Sequence, residues 1–221
     1  MRFVRQIAKK FLSVCFPRSR LLIRGPRSSK PKPKFALTFD DGPHPDHTPQ
    51  LLDKLDQLGL HATFFVIGRN AEKYPQLIQR MAAAGHDIAN HTYTHSEPHL
   101  TSVGQFLDEI KQTDGLLDRL TGHSSRFVRP PKGSLNWGKL TGLWRAKKTI
   151  VLWNVDPKDF HMKGLDDVTR WCDAYQPSDG DIVLMHDVHP YALPIVERMA
   201  VRTASREVKG SAPCWTACST S

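Results

Sequence analysis

The sequence predicts an α/β protein in which βα units build a parallel, barrel-like sheet. Three observations lead there. From residue 35 onward, short apolar runs alternate with stretches whose apolar residues recur at helical spacing. Nearly every apolar run ends in a polar cluster at its C-terminal end, the edge where parallel βα folds assemble their ligand sites. The 221 residues are 39% hydrophobic and 24% charged, which excludes collagen-like, mucin-like and wholly disordered chains. No run approaches the roughly 18 apolar residues of a bilayer span, so a polytopic membrane protein is excluded as well.

The first 34 residues stand apart. They hold 11 of the 31 lysines and arginines and no acid, leaving 20 basic against 22 acidic residues, a balance of −2, for the rest. The net charge of +9 therefore belongs to an arm rather than to a folded surface, and no nucleic-acid partner is expected. The best apolar run of the arm, residues 11–16, ends at Pro17-Arg18 and makes no clean secretory signal. Phe3, Val4, Ile7, Phe11 and Leu12 fit one side of a basic amphipathic helix, so residues 1–25 are a candidate for peripheral membrane contact. A frayed tail leading into a Ser-, Lys- and Pro-rich linker fits the same residues. The expected organisation is an arm and linker over 1–34, a domain over 35–200 and an irregular tail over 201–221.

Within the domain, strands are expected at 35–39, 62–67, 87–89, 126–128, 149–155 and 181–185. Thr48-Pro49 reads as an N-cap followed by proline at the first helical position, opening a helix over 50–58 with Leu51, Leu52, Leu55 and Leu58 on one face. Further helices are expected over 70–84, 102–120, 165–175 and 191–199. No alternating strand follows Met199, so six strands are recognisable and a closing seventh is missing. The 181–185 strand is then expected at an open edge. Cys15, Cys172, Cys214 and Cys218 are scattered without a CxxC pair, which argues against a zinc ribbon and a disulfide framework.

Five strand ends carry the chemistry. Thr38-Phe39-Asp40-Asp41-Gly42-Pro43 closes the first; adjacent carboxylates on a strand face opposite ways and can do different work. His91-Thr92-Tyr93-Thr94-His95 offers two imidazoles four residues apart without the glutamate of the HExxH motif. Arg129-Pro130-Pro131-Lys132-Gly133 sets a guanidinium beside two rigid prolines. Asp156 and Asp159 follow the fifth strand, and His186 ends the sixth. Any one of these is explained as a polar turn or a satisfied histidine. Together they deliver Asp, His or Arg to one rim. Asp41, His91 and His95 would make a two-nitrogen, one-oxygen site with open positions, the pattern of catalytic zinc, which overlaps that of non-haem iron.

These five motifs, in this order between Phe35 and about Met199, resemble the NodB-homology polysaccharide deacetylases, carbohydrate esterase family 4. The resemblance implies a distorted (β/α) barrel with seven strands. It also implies a hydrolase that removes acetyl groups, most often N-acetyl, from a glycan by attack of a metal-activated water. The cofactor it implies is Zn²⁺, with Co²⁺ or another divalent ion as alternatives. By position, Asp40 is similar to the family's catalytic base and Asp41, His91 and His95 to its metal ligands. His186 matches its general acid, Arg129 the group that holds Asp40, and Asp159 or Asp156 the support of His186. Leu184 matches a wall of the acetyl-methyl pocket, and Pro131 and Lys132 line the substrate groove. Lys132 and Phe160 depart from the family pattern, which usually has an aromatic residue and Trp there. The implied partner is an N- or O-acetylated glycan met by a monomer. The family suggests a cell-envelope or secreted place, while the arm leaves a cytoplasmic or membrane-peripheral one open. A catalytically impaired glycan-binding protein is the alternative expectation.

Overall fold

The computed structural model describes residues 19–25, 35–123 and 125–204. Seven strands form one parallel sheet: β1 Leu21–Leu22, β2 Ala36–Asp40, β3 Thr63–Val66, β4 Asp87–Asn90, β5 Phe127–Val128, β6 Thr149–Val151 and β7 Ile182–His186. Their spatial order is β1-β6-β5-β4-β3-β2-β7. Among the described residues seven helices run between and after them: α1 His47–Gln57, α2 Gly68–Lys73, α3 Pro75–Ala83, α4 Val103–Thr121, α5 Trp137–Arg145, α6 Leu165–Ala174 and α7 Ala192–Ala204. The sheet curls into the distorted barrel that the sequence predicts.

Alternation along each strand sorts side chains between two compartments. On β2, Leu37 and Phe39 enter the layer between sheet and helices, where Phe39 stacks on Phe64 at 5.1 Å between ring centres. Ala36 packs instead with Phe65, Ala89, Val151 and Ile182 on the other face. The same alternation continues beyond the apolar part of the strands. Thr38 and Asp40, in register with Leu184 and His186 of β7, share the face of Ala36. Arg129, which follows β5, reaches this pair and is wholly buried. Leu51, Leu55, Ile78, Met81, Leu117 and Ile195 fill the helix-facing layer, each contributing about 1.5–3 kcal/mol by burial.

The seventh strand comes from an unexpected place. It is β1, inside the stretch read as basic arm, and it pairs with β6 on the side away from β5. Ile150 N–H donates to Arg20 O (3.0 Å) and Leu152 N–H to Leu22 O (2.7 Å), and Arg20 donates to Trp144 O (2.7 Å). An apolar Leu-Leu-Ile between two arginines is too short to announce a strand; β6 creates it by offering an edge. The β7 edge is likewise covered in part. Residues 154–155, expected as the end of one long strand, leave the β6 ladder and cross to β7, where Val155 bridges Val183.

Other expectations shift for local reasons. Helix α1 begins at His47, and Thr48 is a buried residue of its first turn rather than its cap. The Thr48 hydroxyl accepts from His44 N–H (2.7 Å) and donates to Asp187 Oδ2 (2.6 Å). Pro75 divides the helix expected over 70–84 into α2 and α3, because proline cannot donate its backbone N–H inside a helix. Helix α5 was not anticipated. The last helix runs on to Ala204, into the expected tail, and residues 205–221 lie outside the described residues, as does the amphipathic stretch of the arm before Ser19. Cys172 is a free, buried thiol. No described helix is long and apolar enough to cross a membrane.

Candidate active site

The rim at the C-terminal strand ends gathers the polar clusters. Asp41 lies one residue beyond β2 with φ 75, so the chain turns away from the strand and the Asp41 carboxylate faces the loop after β4. Its backbone carbonyl accepts from Asn70 Nδ2 (2.8 Å). Gly42 leaves no room for a side chain, since a Cβ there would sit 2.1 Å from the Asp187 carboxylate. His91 follows β4, and Thr92 and His95 adopt left-handed backbone (φ 66 and 59). The intervening turn is therefore not a helix, yet it returns His95 to His91.

Asp41 Oδ1 lies 3.3 Å from His91 Nε2 and 3.4 Å from His95 Nε2. Asp41, His91 and His95 each offer one ligand atom within 4.8 Å of the others. Three features test whether a divalent cation fits. Asp41 Oδ1 is buried without a hydrogen-bond partner among the described residues. His91 Nδ1 lies 2.6 Å from Arg129 O, which accepts its proton and leaves Nε2 a lone pair toward the cluster, the usual arrangement of a metal-ligating histidine. The donor set, two imidazole nitrogens and a carboxylate oxygen, suits zinc and its neighbours. The residues fit a cation.

Charge at the cluster follows from burial and proximity. Burial raises the Asp41 carboxyl, but His91, with His95 and His186, overrides it and holds the group well below the usual carboxylate range. Burial lowers His91, yet Asp40 and Asp41 more than offset this and raise it. Burial and the neighbouring His91 lower His95. A cluster that keeps its carboxylate ionised needs a cation, a proton or a metal, to balance it.

Asp40 and Arg129 form the next layer. Arg129 Nη1 lies 2.6 Å from Asp40 Oδ1 and 2.8 Å from Thr38 Oγ1. Its other nitrogens donate to Val151 O (3.1 Å) and Leu152 O (3.2 Å), and its plane sits 4.0 Å over the Phe65 ring. All three guanidinium nitrogens are engaged. Asp40 Oδ2 remains free of Arg129 and lies 3.7 Å from His91 Nε2.

Of the two acids expected near His186, the structure selects Asp159. Its Oδ2 accepts the His186 backbone N–H (2.6 Å) and its Oδ1 lies 2.8 Å from Nδ1. Asp156 accepts instead from Lys158 N–H (2.9 Å). Burial disfavours the His186 imidazolium, but the Asp159 bond and charge, with Asp40 and Asp41, push it up to about 9. Phe160 meets the His186 ring edge-on at 5.2 Å. Leu184 is buried two residues before His186 on the same strand. Pro131 is buried and Lys132 exposed, the latter paired with Glu97 on the loop after His95.

Two features were not anticipated. Asp187 is buried beneath Gly42; burial and the Asp41 charge push it up to about 7 despite the Thr48 hydrogen bond. Glu109 of α4 bonds the turn that carries His95. Asp187 adjoins a histidine at a strand end and could have been suspected on that ground. Glu109 lies in an ordinary helical pattern with no local signal.

Comparisons with known proteins show the family of the chain. The family model of polysaccharide deacetylase matches residues 27–148. The chain belongs to the polysaccharide deacetylase family. A chitooligosaccharide deacetylase of Sinorhizobium fredii is 41% identical over 170 residues, 75% of this chain and 77% of that protein. A peptidoglycan-N-acetylglucosamine deacetylase of Bacillus cereus is 42% identical over 141 residues, 63% of this chain and 50% of its own length, so this chain spans about half of that relative. Among solved structures, the Bc1960 peptidoglycan N-acetylglucosamine deacetylase superposes with a TM-score of 0.78 at 32% identity, covering 87% of this chain and 91% of that one. Asp159 and His186 lie beyond the stretch matched by the polysaccharide deacetylase family model, so their placement rests on the coordinates.

Proposed function

We propose that the chain is a metal-dependent polysaccharide deacetylase, removing N-acetyl groups from an amino-sugar polymer. One observation carries the reading: Asp41, His91 and His95 converge on a cation-sized cluster flanked by the Asp40–Arg129 and His186–Asp159 pairs. A divalent cation held by these three residues, Zn²⁺ or Co²⁺, supplies a Lewis acid that polarises the acetyl carbonyl and acidifies water.

The chain's own residues do the rest. Asp40, oriented by Arg129, accepts the proton of the attacking water at Oδ2, the oxygen that Arg129 leaves free. His186, charged through Asp159, donates from its other ring nitrogen, Nε2, to the departing amine, which is a poor leaving group unless protonated. Asp40 and His186 are register partners on β2 and β7, so base and acid stand on adjacent strands. Leu184 walls the methyl side of the acetyl group, and Pro131 and Lys132 border the sugar.

The names of the relatives support peptidoglycan or chitooligosaccharide as substrate class and the cell envelope as the place of action. The complete set of base, acid and ligands favours catalysis over glycan binding without turnover. Acetate release from N-acetylglucosamine oligomers and from peptidoglycan is expected after loading with Zn²⁺ or Co²⁺. It should vanish with a chelator and in Asp40→Asn. No acetate from either substrate by the metal-loaded protein refutes the proposal.

A further inference from the structure

We propose that Glu109 is a positioning residue for the cation site, its carboxylate holding residues 93–96 in the shape that brings His95 to Asp41 and His91. The inference rests on the reading of those three residues as ligands. Four positions separate His91 from His95, and the chain covers them without a helix. Thr92 and His95 instead hold left-handed backbone, which a β-branched residue keeps only where its surroundings over-determine it.

Glu109 supplies that determination. Its Oε2 accepts the backbone N–H of Tyr93 (3.1 Å) and of Thr94 (2.9 Å). Its Oε1 accepts the Thr94 hydroxyl (2.7 Å) and the Ser96 hydroxyl (3.3 Å). One carboxylate thus gathers two amides and two hydroxyls from three residues that flank His95, Tyr93, Thr94 and Ser96. Asn90 fastens the start of the turn: Oδ1 accepts Thr92 N–H (2.8 Å), and Nδ2 donates to Ile110 O (2.8 Å) and Asp114 Oδ1 (2.9 Å). The turn is therefore moored at both ends to one stretch of α4. That helix is itself fixed at its start by a capping box between Ser102 and Gln105. The Tyr93 and Thr94 amides can only donate, so one side-chain oxygen must stay on them; glutamine can keep it there only by turning its N–H groups toward the Thr94 and Ser96 hydroxyls, which then have to reverse and accept, and it loses the carboxylate charge that strengthens all four bonds.

Glu109→Gln keeps the size and reverses the role of one side-chain atom, so it tests the idea sharply. In the metal-stripped full chain, Zn²⁺ affinity measured by competition with a chromophoric chelator is expected to fall ten- to hundredfold. The metal-free thermal midpoint should stay within a few degrees of the parent, while the Tyr93 and Thr94 amides exchange hydrogen faster. Raising Zn²⁺ should restore kcat, and Asp108→Asn, an exposed acid on the same helix, should change none of these. Glu109→Asp, which keeps an acceptor but shortens it, should fall between and serves if the glutamine variant does not fold. Zn²⁺ affinity within twofold of the parent, or an equal loss in Asp108→Asn, overturns the proposal. If the parent binds neither Zn²⁺ nor Co²⁺, the ligand reading itself fails, and amide exchange still decides whether Glu109 holds the turn.

Discussion

Asp159 directs both carboxylate oxygens at His186, one to the backbone N–H and one to Nδ1, and is itself wholly buried. Asp159→Asn removes the charge and keeps the shape. The folded His186 pKa of about 9 stands above its ordinary 6.5. The imidazolium therefore contributes stability that is fully present below about pH 6.5 and is lost as pH rises through about 9. In Asp159→Asn that window should close: the ring titration followed by NMR should move down toward 6.5, and the alkaline limb of the rate profile should follow it. A midpoint that stays near 9 would assign the shift to Asp40 and Asp41 instead. Reactive groups such as these were legible in the sequence because a strand end exposes them in series: Asp40, Asp41, His91, His95, Arg129 and His186 each close or follow an apolar run. Groups that act across elements were not. Thr48 bonds Asp187 at a separation of 139 residues, and its proline neighbour made it look like a local cap. Asn90 and Glu109 meet only once β4 and α4 are packed.

At the scale of elements, the six strands of the domain were legible because each is a short apolar run between turn residues, and the helices over 50–58 and 102–120 because four or more leucines, isoleucines or phenylalanines mark one face. Helix α5 escaped because Gly138 and Gly142 interrupt a nine-residue segment with two buried apolar anchors, Leu140 and Leu143. Packing makes it a helix, helped by Asn136, whose side chain accepts Lys139 N–H (2.9 Å) at the N-cap. The closeness of that packing shows at Gly142, where a Cβ would approach Leu107 to 2.7 Å. If tertiary contact rather than propensity holds α5, its buried anchor should matter far more than its exposed aromatic. Leu143→Ala, at a wholly buried site, should cost about 2–5 kcal/mol in urea unfolding. Trp137→Ala, at a site 66% exposed, should cost much less. Equal costs would mean that α5 is held by its local sequence.

At the scale of the whole molecule, the sheet closes among the described residues without a strand after α7. Its edges are β1 and β7, and they are joined by contacts rather than by a ladder. Gly25, just after β1, donates its N–H to Gly180 O (2.8 Å), just before β7. Arg24 pairs with buried Asp181 (2.7 Å), which also accepts from Asn154 Nδ2 (2.7 Å), Tyr175 OH (3.0 Å) and Ser178 N–H (2.9 Å). One carboxylate thereby ties the segment after β1, the crossing segment at 154 and the entry to β7. The join depends on two glycines touching. Gly180 has φ +80, and a Cβ on it would lie 2.6 Å from Gly25 O. Gly122 has the same φ with nothing within 4 Å. Gly122→Ala should therefore report the cost of left-handed backbone alone, about 1–3 kcal/mol, whereas Gly180→Ala should add the separation of the two edges. The larger loss should come with faster amide exchange at Gly25 and Leu152, whose N–H groups hold β1 in place or rest on it. Loosening here would also bare the β7 edge that carries His186, so aggregation on heating should rise in Gly180→Ala and not in Gly122→Ala. Equal destabilisation by the two substitutions would show that the edges of the barrel hold without this contact.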